Sequence, residues 1–313
     1  MRKRIIIVFA LFTSVVKMAN AQMDVQFADY TSLRSYYNPA VSGTEGQLNV
    51  VGAYSMQMAG YKGAPATMFL GADMPIYFLS PRHGGGLSFL NDVVGMFTTS
   101  KISLQYAYNV KLGLKSRIAI GANIGMISEK IDGSKLELED TTDPAFPSSA
   151  VTGNSLDFNF GVYYTMPHLW AGLSVMHAMQ PTITCSEKYE LEFPRSYYFM
   201  VGSNIKLKNS FITLQPSCMV MSDLKSWRED VQCKVVYEYD GRKLYGGLGY
   251  SPGVSTTFMV GGDFHGATVG YSYQMFTNGI GMVNGSHELV VGYLTELDLF
   301  KKGRNRHKSV RWL

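Results

Sequence analysis

Ala267-Thr268-Val269-Gly270-Tyr271-Ser272-Tyr273-Gln274-Met275 decides the fold. Ala267, Val269, Tyr271, Tyr273 and Met275 fall on one face, and Thr268, Gly270, Ser272 and Gln274 fall on the other. A period of two is the mark of a strand with one apolar and one wet face. Working outward, the same alternation recurs. Leu156, Phe158, Phe160, Val162 and Tyr164 oppose Asp157, Asn159 and Gly161; Ile102, Leu104, Tyr106, Tyr108 and Val110 oppose Ser103, Gln105 and Asn109. Val231, Cys233, Val235, Tyr237 and Tyr239 oppose Gln232, Lys234 and Glu238.

Fourteen such segments are predicted, near 46–59, 64–77, 84–92, 97–112, 115–130, 154–166, 168–178, 195–207, 210–221, 230–239, 242–250, 255–264, 266–276 and 286–297. Most are longer than the about five or six residues of an ordinary strand. They match the about nine to eleven that a tilted membrane strand needs. From the fourth strand on, tight connections at 112–115, 166–168, 206–210, 239–242 and 264–266 alternate with longer ones at 131–153, 179–194, 222–229 and 277–285. An even strand number with short periplasmic turns and long outer loops describes a transmembrane, antiparallel, up-and-down β-barrel. The turn 78–83 is long for its side, and the outer connections 60–63 and 251–254 are short. Tyr77, Tyr108, Tyr164, Trp170, Phe211, Tyr237, Tyr239 and Tyr245 lie near the periplasmic turns, where an aromatic girdle belongs.

Composition agrees with an all-β membrane chain. Of 313 residues only 17% are charged, 13% are aromatic and 32 are Gly. That excludes a disordered chain, which is charged and aromatic-poor. The sole long apolar run is N-terminal. Arg2-Lys3-Arg4, the apolar stretch Ile5 to Val16 and Ala19-Asn20-Ala21 predict a signal peptide over 1–21. The leader carries four basic groups and the tail 301–313 carries six, Lys301, Lys302, Arg304, Arg306, Lys308 and Arg311. Between them 18 basic residues face 24 acidic ones, so the chain is no nucleic-acid binder.

The predicted organisation is a signal peptide at 1–21, an N-terminal plug or docking segment at 22–45, the barrel at 46–300 and a basic periplasmic tail at 301–313. Phe27, Tyr30, Tyr37, Asn38 and Pro39 are the candidate plug or partner-docking residues, in a segment too aromatic for a flexible tail. A periplasmic strap beneath the barrel is the equal alternative. Asn38, before Pro39, should be extended. A barrel of fourteen strands lies between filled eight-stranded and open sixteen-stranded kinds, so its lumen would leak without a plug. An even strand count puts both mature termini in the periplasm. There the tail would meet anionic headgroups or an acidic partner.

Motifs for chemistry are absent: no phosphate-binding loop, HExxH or GxSxG appears. Gly84-Gly85-Gly86 opens a strand and should serve for room there. His83, His168, His177, His265, His287 and His307 show no metal-ligand spacing and read as polar turn residues. Asp132, Glu137, Glu139, Asp140 and Asp143 lack the EF-hand pattern and read as a solvated loop. No cofactor and no enzymatic activity are expected. A hydrolase has no Ser, His and acid placed together to support it. Three Cys make no disulfide scaffold. Cys218 and Cys233, equidistant from the centre of 222–229, should oppose each other across a hairpin as small apolar residues facing lipid.

Several stretches together resemble one family. Gln26-Phe27-Ala28-Asp29-Tyr30 with Tyr37-Asn38-Pro39-Ala40-Val41-Ser42-Gly43 is similar to the start of the PorP/SprF family. Gly84 to Asp92, Lys135 to Asp140 with Asp143-Pro144, Pro194 to Tyr197, Val269 to Tyr273 and Gly285 to Leu289 with Gly292-Tyr293 follow in the family's order. The basic extension after Phe300 departs from it. The resemblance implies a non-enzymatic outer-membrane component of type IX secretion and gliding in Bacteroidota. Such a component helps client proteins reach or stay on the surface, beside periplasmic and outer-membrane partners and outer-membrane lipid. The competing expectation is an outer-membrane channel or transporter for a small or hydrophobic solute.

Overall fold

The computed structural model describes residues 24–77, 79–135, 149–186, 189–208, 211–277 and 284–296. The predicted signal peptide, the basic tail and Glu137, Glu139, Asp140 and Asp143 of the acidic loop lie outside them.

Alternation builds long strands wherever the sequence carries it. They are β1 (Leu48–Met56), β2 (Ala66–Pro75), β3 (His83–Val94), β4 (Phe97–Lys111), β5 (Arg117–Ile131), β6 (Val151–Met166) and β7 (Leu169–Met176). After a small hairpin, β8 (Thr182–Ser186) with β9 (Tyr189–Glu192), come β10 (Ser196–Ser203) and its two-residue continuation β11 (Ile205–Lys206). The series ends with β12 (Ile212–Ser222), β13 (Trp227–Tyr239), β14 (Arg242–Ser251), β15 (Ser255–Phe264), β16 (Ala267–Phe276) and β17 (Ser286–Thr295). Sequence neighbours pair antiparallel around the sheet, β10 pairs with β12, and β1 pairs with β17 from Leu48↔Thr295 to Met56↔His287. The result is a closed fourteen-stranded barrel, so no edge is left to leave backbone groups unpaired in lipid.

The outer wall is apolar. Leu104, Ile120, Leu173 and Val260 are about 60% exposed, while their strand neighbours Ser103, Ala119 and Ser174 are buried inside. Val269 and Tyr271 face out, and Ser272 is buried. No helix among the described residues is long and apolar enough to cross a membrane.

Four details differ from the sequence reading. Asp223 accepts bonds from the Lys225 and Ser226 amides, tightening the predicted loop 222–229 into the four residues 223–226. This moves the hairpin centre by one position, and the register by two. Cys218 therefore faces Val231, and Cys233 faces Pro216. The cysteines are diagonal neighbours on the outer face, both as free thiols. Trp170 and Tyr245 leave the expected girdle, because their positions alternate inward: Trp170 stacks beneath Arg34 and Tyr245 beneath Lys234. The loop 179–194 contains the β8–β9 hairpin, whose Ile183 and Cys185 pack on Ile127 and Ile131. The histidines are the fourth: His177 is a buried residue of the lumen, His83 opens β3, and His287 lies within β17 with its Nδ1 2.7 Å from the Tyr271 hydroxyl, so none of the three is a turn residue.

Candidate functional site

The core of the molecule is its lumen, and residues 24–45 run through it. Phe27, Tyr30, Leu33, Tyr37 and Ala40 form one cluster with wall residues Phe69, Tyr163, Tyr198, Met200, Met219 and Val290. The segment bonds to opposite walls. The Ala28 and Asp29 amides donate to the two Glu288 carboxylate oxygens of β17 at 2.7 and 2.8 Å. The Ser42 hydroxyl meets Gln105 of β4, and the Gly43 amide donates to Asp73 of β2. Only a chain inside the barrel can reach all of these.

Each of the five predicted plug residues has a place there. Phe27 donates its amide to the Tyr37 hydroxyl and stacks edge-on against Tyr36 at 5.2 Å. The Tyr30 hydroxyl lies 2.9 Å from Ser217 Oγ. Asn38 is extended, as the following proline requires (φ −143°), and Pro39 starts a single 3-10 turn. The Asn38 amide nitrogen donates to the carbonyls of Val162 and Leu173, and its Oδ1 accepts from Ala40 N, so it stitches the turn to β6 and β7. All five side chains are buried. Glycines in the wall make room. A Cβ on Gly121 would stand 2.4 Å from Ala40 N, and one on Gly84 would strike the Ser42 carbonyl oxygen.

Charges hold the two ends. At the end carrying the long loops, His177 follows β7 with φ +52°, a left-handed conformation uncommon for a non-glycine residue. Its Nδ1 lies 3.0 Å from Asp157 Oδ1 and its Nε2 3.1 Å from Asp24 Oδ1. Lys101 donates to the other Asp157 oxygen, and the Tyr198 hydroxyl donates to the other Asp24 oxygen. Burial alone would lower the His177 pKa; the Asp24 charge and hydrogen bonds to both carboxylates outweigh it and raise it to about 9. Burial likewise pushes Asp24 up, and His177 brings it below the ordinary carboxylate value. The imidazole is thus a cation donating to two acids. Asp24 lies at this long-loop end, so the expected placement of the N-terminal end beside the short turns does not hold for this residue.

Further along, Lys234 donates to both Asp29 oxygens at 2.7 Å while Asp29 caps Thr31 and Ser32. Arg34 opens a one-turn helix (Arg34–Tyr37), donates to the Tyr163 hydroxyl and pairs with Glu45 at 3.1 Å. The segment divides the lumen into two chambers. One of about 360 Å³ is lined by Arg34, Glu45, Trp170, Lys243 and Tyr245; the other, of about 310 Å³, lies beside Asp24 and His177. No group of three His, Cys, Asp or Glu among the described residues could hold a metal ion.

Sequence reasoning missed Asp24, Lys101, Asp157, His177 and Glu288. The available signal was charge at inward positions of long apolar strands, at Lys101, Asp157 and Glu288. The basic tail residues lie outside the described residues.

The family model described as "Type IX secretion system membrane protein PorP/SprF" matches residues 19–293. No curated protein matches the sequence. Among solved structures, the chain is similar to the Pseudomonas putida toluene transporter TodX, with a TM-score of 0.50 and 9% identity, over 90% of this chain and 96% of that one. It is also similar to a Pseudomonas aeruginosa FadL homologue, with a TM-score of 0.49 and 10% identity, over 83% and 93%. At such identities the likeness speaks for the fold alone.

Proposed function

The chain belongs to the PorP/SprF family of type IX secretion system membrane proteins, and from that premise we propose that it is a non-enzymatic outer-membrane component that helps client proteins pass to, or stay on, the cell surface. The observation that carries this reading is the filled lumen: residues 24–45 are bonded to opposite walls by ion pairs and buried amides. A barrel closed in this way suits a docking platform better than an open pore. Its partners are then other secretion components in the periplasm and outer membrane, and the clients themselves. The short turns face the periplasm, and β17 ends on that side.

Deletion of the gene, followed by proteomics of the cell surface and medium, tests the proposal. Loss of a defined set of surface proteins, with the rest of the outer membrane unchanged, is expected. An unchanged surface and medium proteome would overturn it. A second reading, a channel for a small or hydrophobic solute, is favoured by the two chambers flanking the segment. Conductance of the purified protein in planar bilayers separates them, since a platform conducts little.

A further inference from the structure

The rim at the short-turn end is basic along one side. Four of its connections follow one another around the wall: β2 to β3, β4 to β5, β6 to β7, and β10 through β11 to β12. They carry Arg82, Lys111, Lys115, Arg117, Lys206 and Lys208, and the stretches 76–83, 111–117, 165–169 and 204–212 contain no Asp or Glu. All six bases are exposed, and none has an ion pair among the described residues. Phe78, Asn209 and Ser210, which lie outside the described residues, are uncharged, and 297–313 holds one acidic side chain against six bases, so the sign of the arc does not depend on them. The rest of the rim is mixed: Glu238, Asp240 and Asp263 stand among Arg242 and Lys243.

Register turns the arc toward the mouth and away from lipid. Lys111 and Arg117 are direct cross-strand partners, on the same face as buried Ala107 and Ala119. The Arg82 carbonyl accepts from the Asn109 amide, which sets Arg82 in one row with buried Ala119 and Tyr163. Lys206 pairs with Thr213, on the face of buried Ser217 and Met219. The outward positions beside these bases are Val110, Ile118 and Ile205, so lipid at this level meets apolar side chains. Like charges directly opposite each other destabilise a strand pair, and Lys111 with Arg117 is such a pair. An acidic surface laid over the mouth relieves it. Leu114, fully exposed at the tip between β4 and β5, adds an apolar contact within the arc. Seven strand spacings of about 4.8 Å spread the arc over roughly 34 Å. A single small anion does not bridge that span, whereas a protein face of standard size, about 800 Å², does.

We propose that this arc is the docking surface for a periplasmic protein presenting an acidic face. Its carboxylates lie against Lys111, Arg117 and Lys206 over the mouth, and an apolar spot among them receives Leu114. The inference deepens the secretion reading and rests on its orientation, with the short turns in the periplasm.

The test is photo-crosslinking in living cells, with p-benzoylphenylalanine in place of Leu114 in the full chain and, as control, in place of Lys243 on the mixed side. The Leu114 probe is expected to give one discrete protein adduct, about ten-fold stronger than any from the Lys243 probe. Lys111→Glu with Arg117→Glu and Lys206→Glu should cut that adduct about ten-fold while heat-modifiable migration persists. Acid-to-lysine changes on the captured protein should restore it to the reversed barrel. No adduct, adducts with lipid alone, equal adducts from both probes, or an adduct indifferent to charge reversal would each overturn the proposal. The comparison of the two probes needs no reversed charges, so it decides the matter even where the triple variant does not fold. Orientation is checked separately, with Leu114→Cys and a membrane-impermeant maleimide. Labelling only after the outer membrane is permeabilised is expected. Labelling of intact cells would overturn the orientation and the docking together, and a missing adduct with the orientation upheld would overturn the docking alone.

Discussion

His177 concentrates the chemistry of the lumen in one residue. It ties the N-terminal segment, through Asp24, to the wall, through Asp157. Removing it leaves two buried carboxylates, of which Asp157 keeps its cation, Lys101, and Asp24 keeps none. Breaking a buried pair by deleting one partner costs about 3–5 kcal/mol. His177→Gln should therefore lower stability by about that much in urea unfolding of the refolded barrel. The pH dependence has a definite sign. The folded pKa of about 9 lies above the about 6.5 of an unfolded histidine, so the stabilisation is complete below pH ~6.5 and lost as pH rises through 9. Unfolding followed at pH 6, 8 and 10 should show this decline in the native protein and not in His177→Gln. The same decline in both would assign it to other groups. Nothing in the local sequence announced this role. His177 sits past the end of a strand beside ordinary loop residues, and its partners are 20 and 153 positions away.

Strands were legible because their signal is local and repeated. A period of two, held for nine to sixteen residues, needs no knowledge of partners, and all fourteen barrel strands lie within a few residues of their predicted limits. Register was less legible, since it depends on the turn: one position of error at 223–226 moved Cys233 from Cys218 to Pro216. The course of residues 24–45 was visible only as an aromatic excess. Its route is set by small wall residues scattered over several strands, and Gly84, Gly121 and Gly161 gain meaning only when the barrel closes around Ser42, Ala40 and Asn38. These contacts make the segment separable from the wall by a single methyl-bearing change. Gly121→Val would place side-chain atoms where the Ala40 amide now lies. With the lipid face untouched, the barrel should still migrate as heat-modifiable. The displaced segment should become cleavable by added protease, and conductance in planar bilayers should rise above that of the native protein. A variant that stays protease-resistant and silent would show that the wall yields and the segment does not.

At the scale of the whole molecule, the positive charge of the chain is set apart from the rest. The lumen settles most of its own charges, pairing Lys101, Lys234, Arg34 and His177 with acids inside the barrel. The tail 301–313, with six basic residues and no acid, has no such partners within its own sequence. A cluster of that density cannot enter an apolar core and is attracted to anionic surfaces within a Debye length, about 8 Å at physiological salt. The proposed orientation, short turns toward the periplasm, puts Thr295 at the end of β17 on the periplasmic side. Trp312 and Leu313 end the tail with apolar groups that can settle at an interface. Truncation after Phe300 should then leave the barrel folded, because the last paired strand residue, Thr295, is retained. It should weaken co-purification with periplasmic partners at low salt and make little difference at high salt, where the native tail is screened as well. Retained partners and unchanged secretion in the truncated strain would show that the tail contributes only charge and solubility.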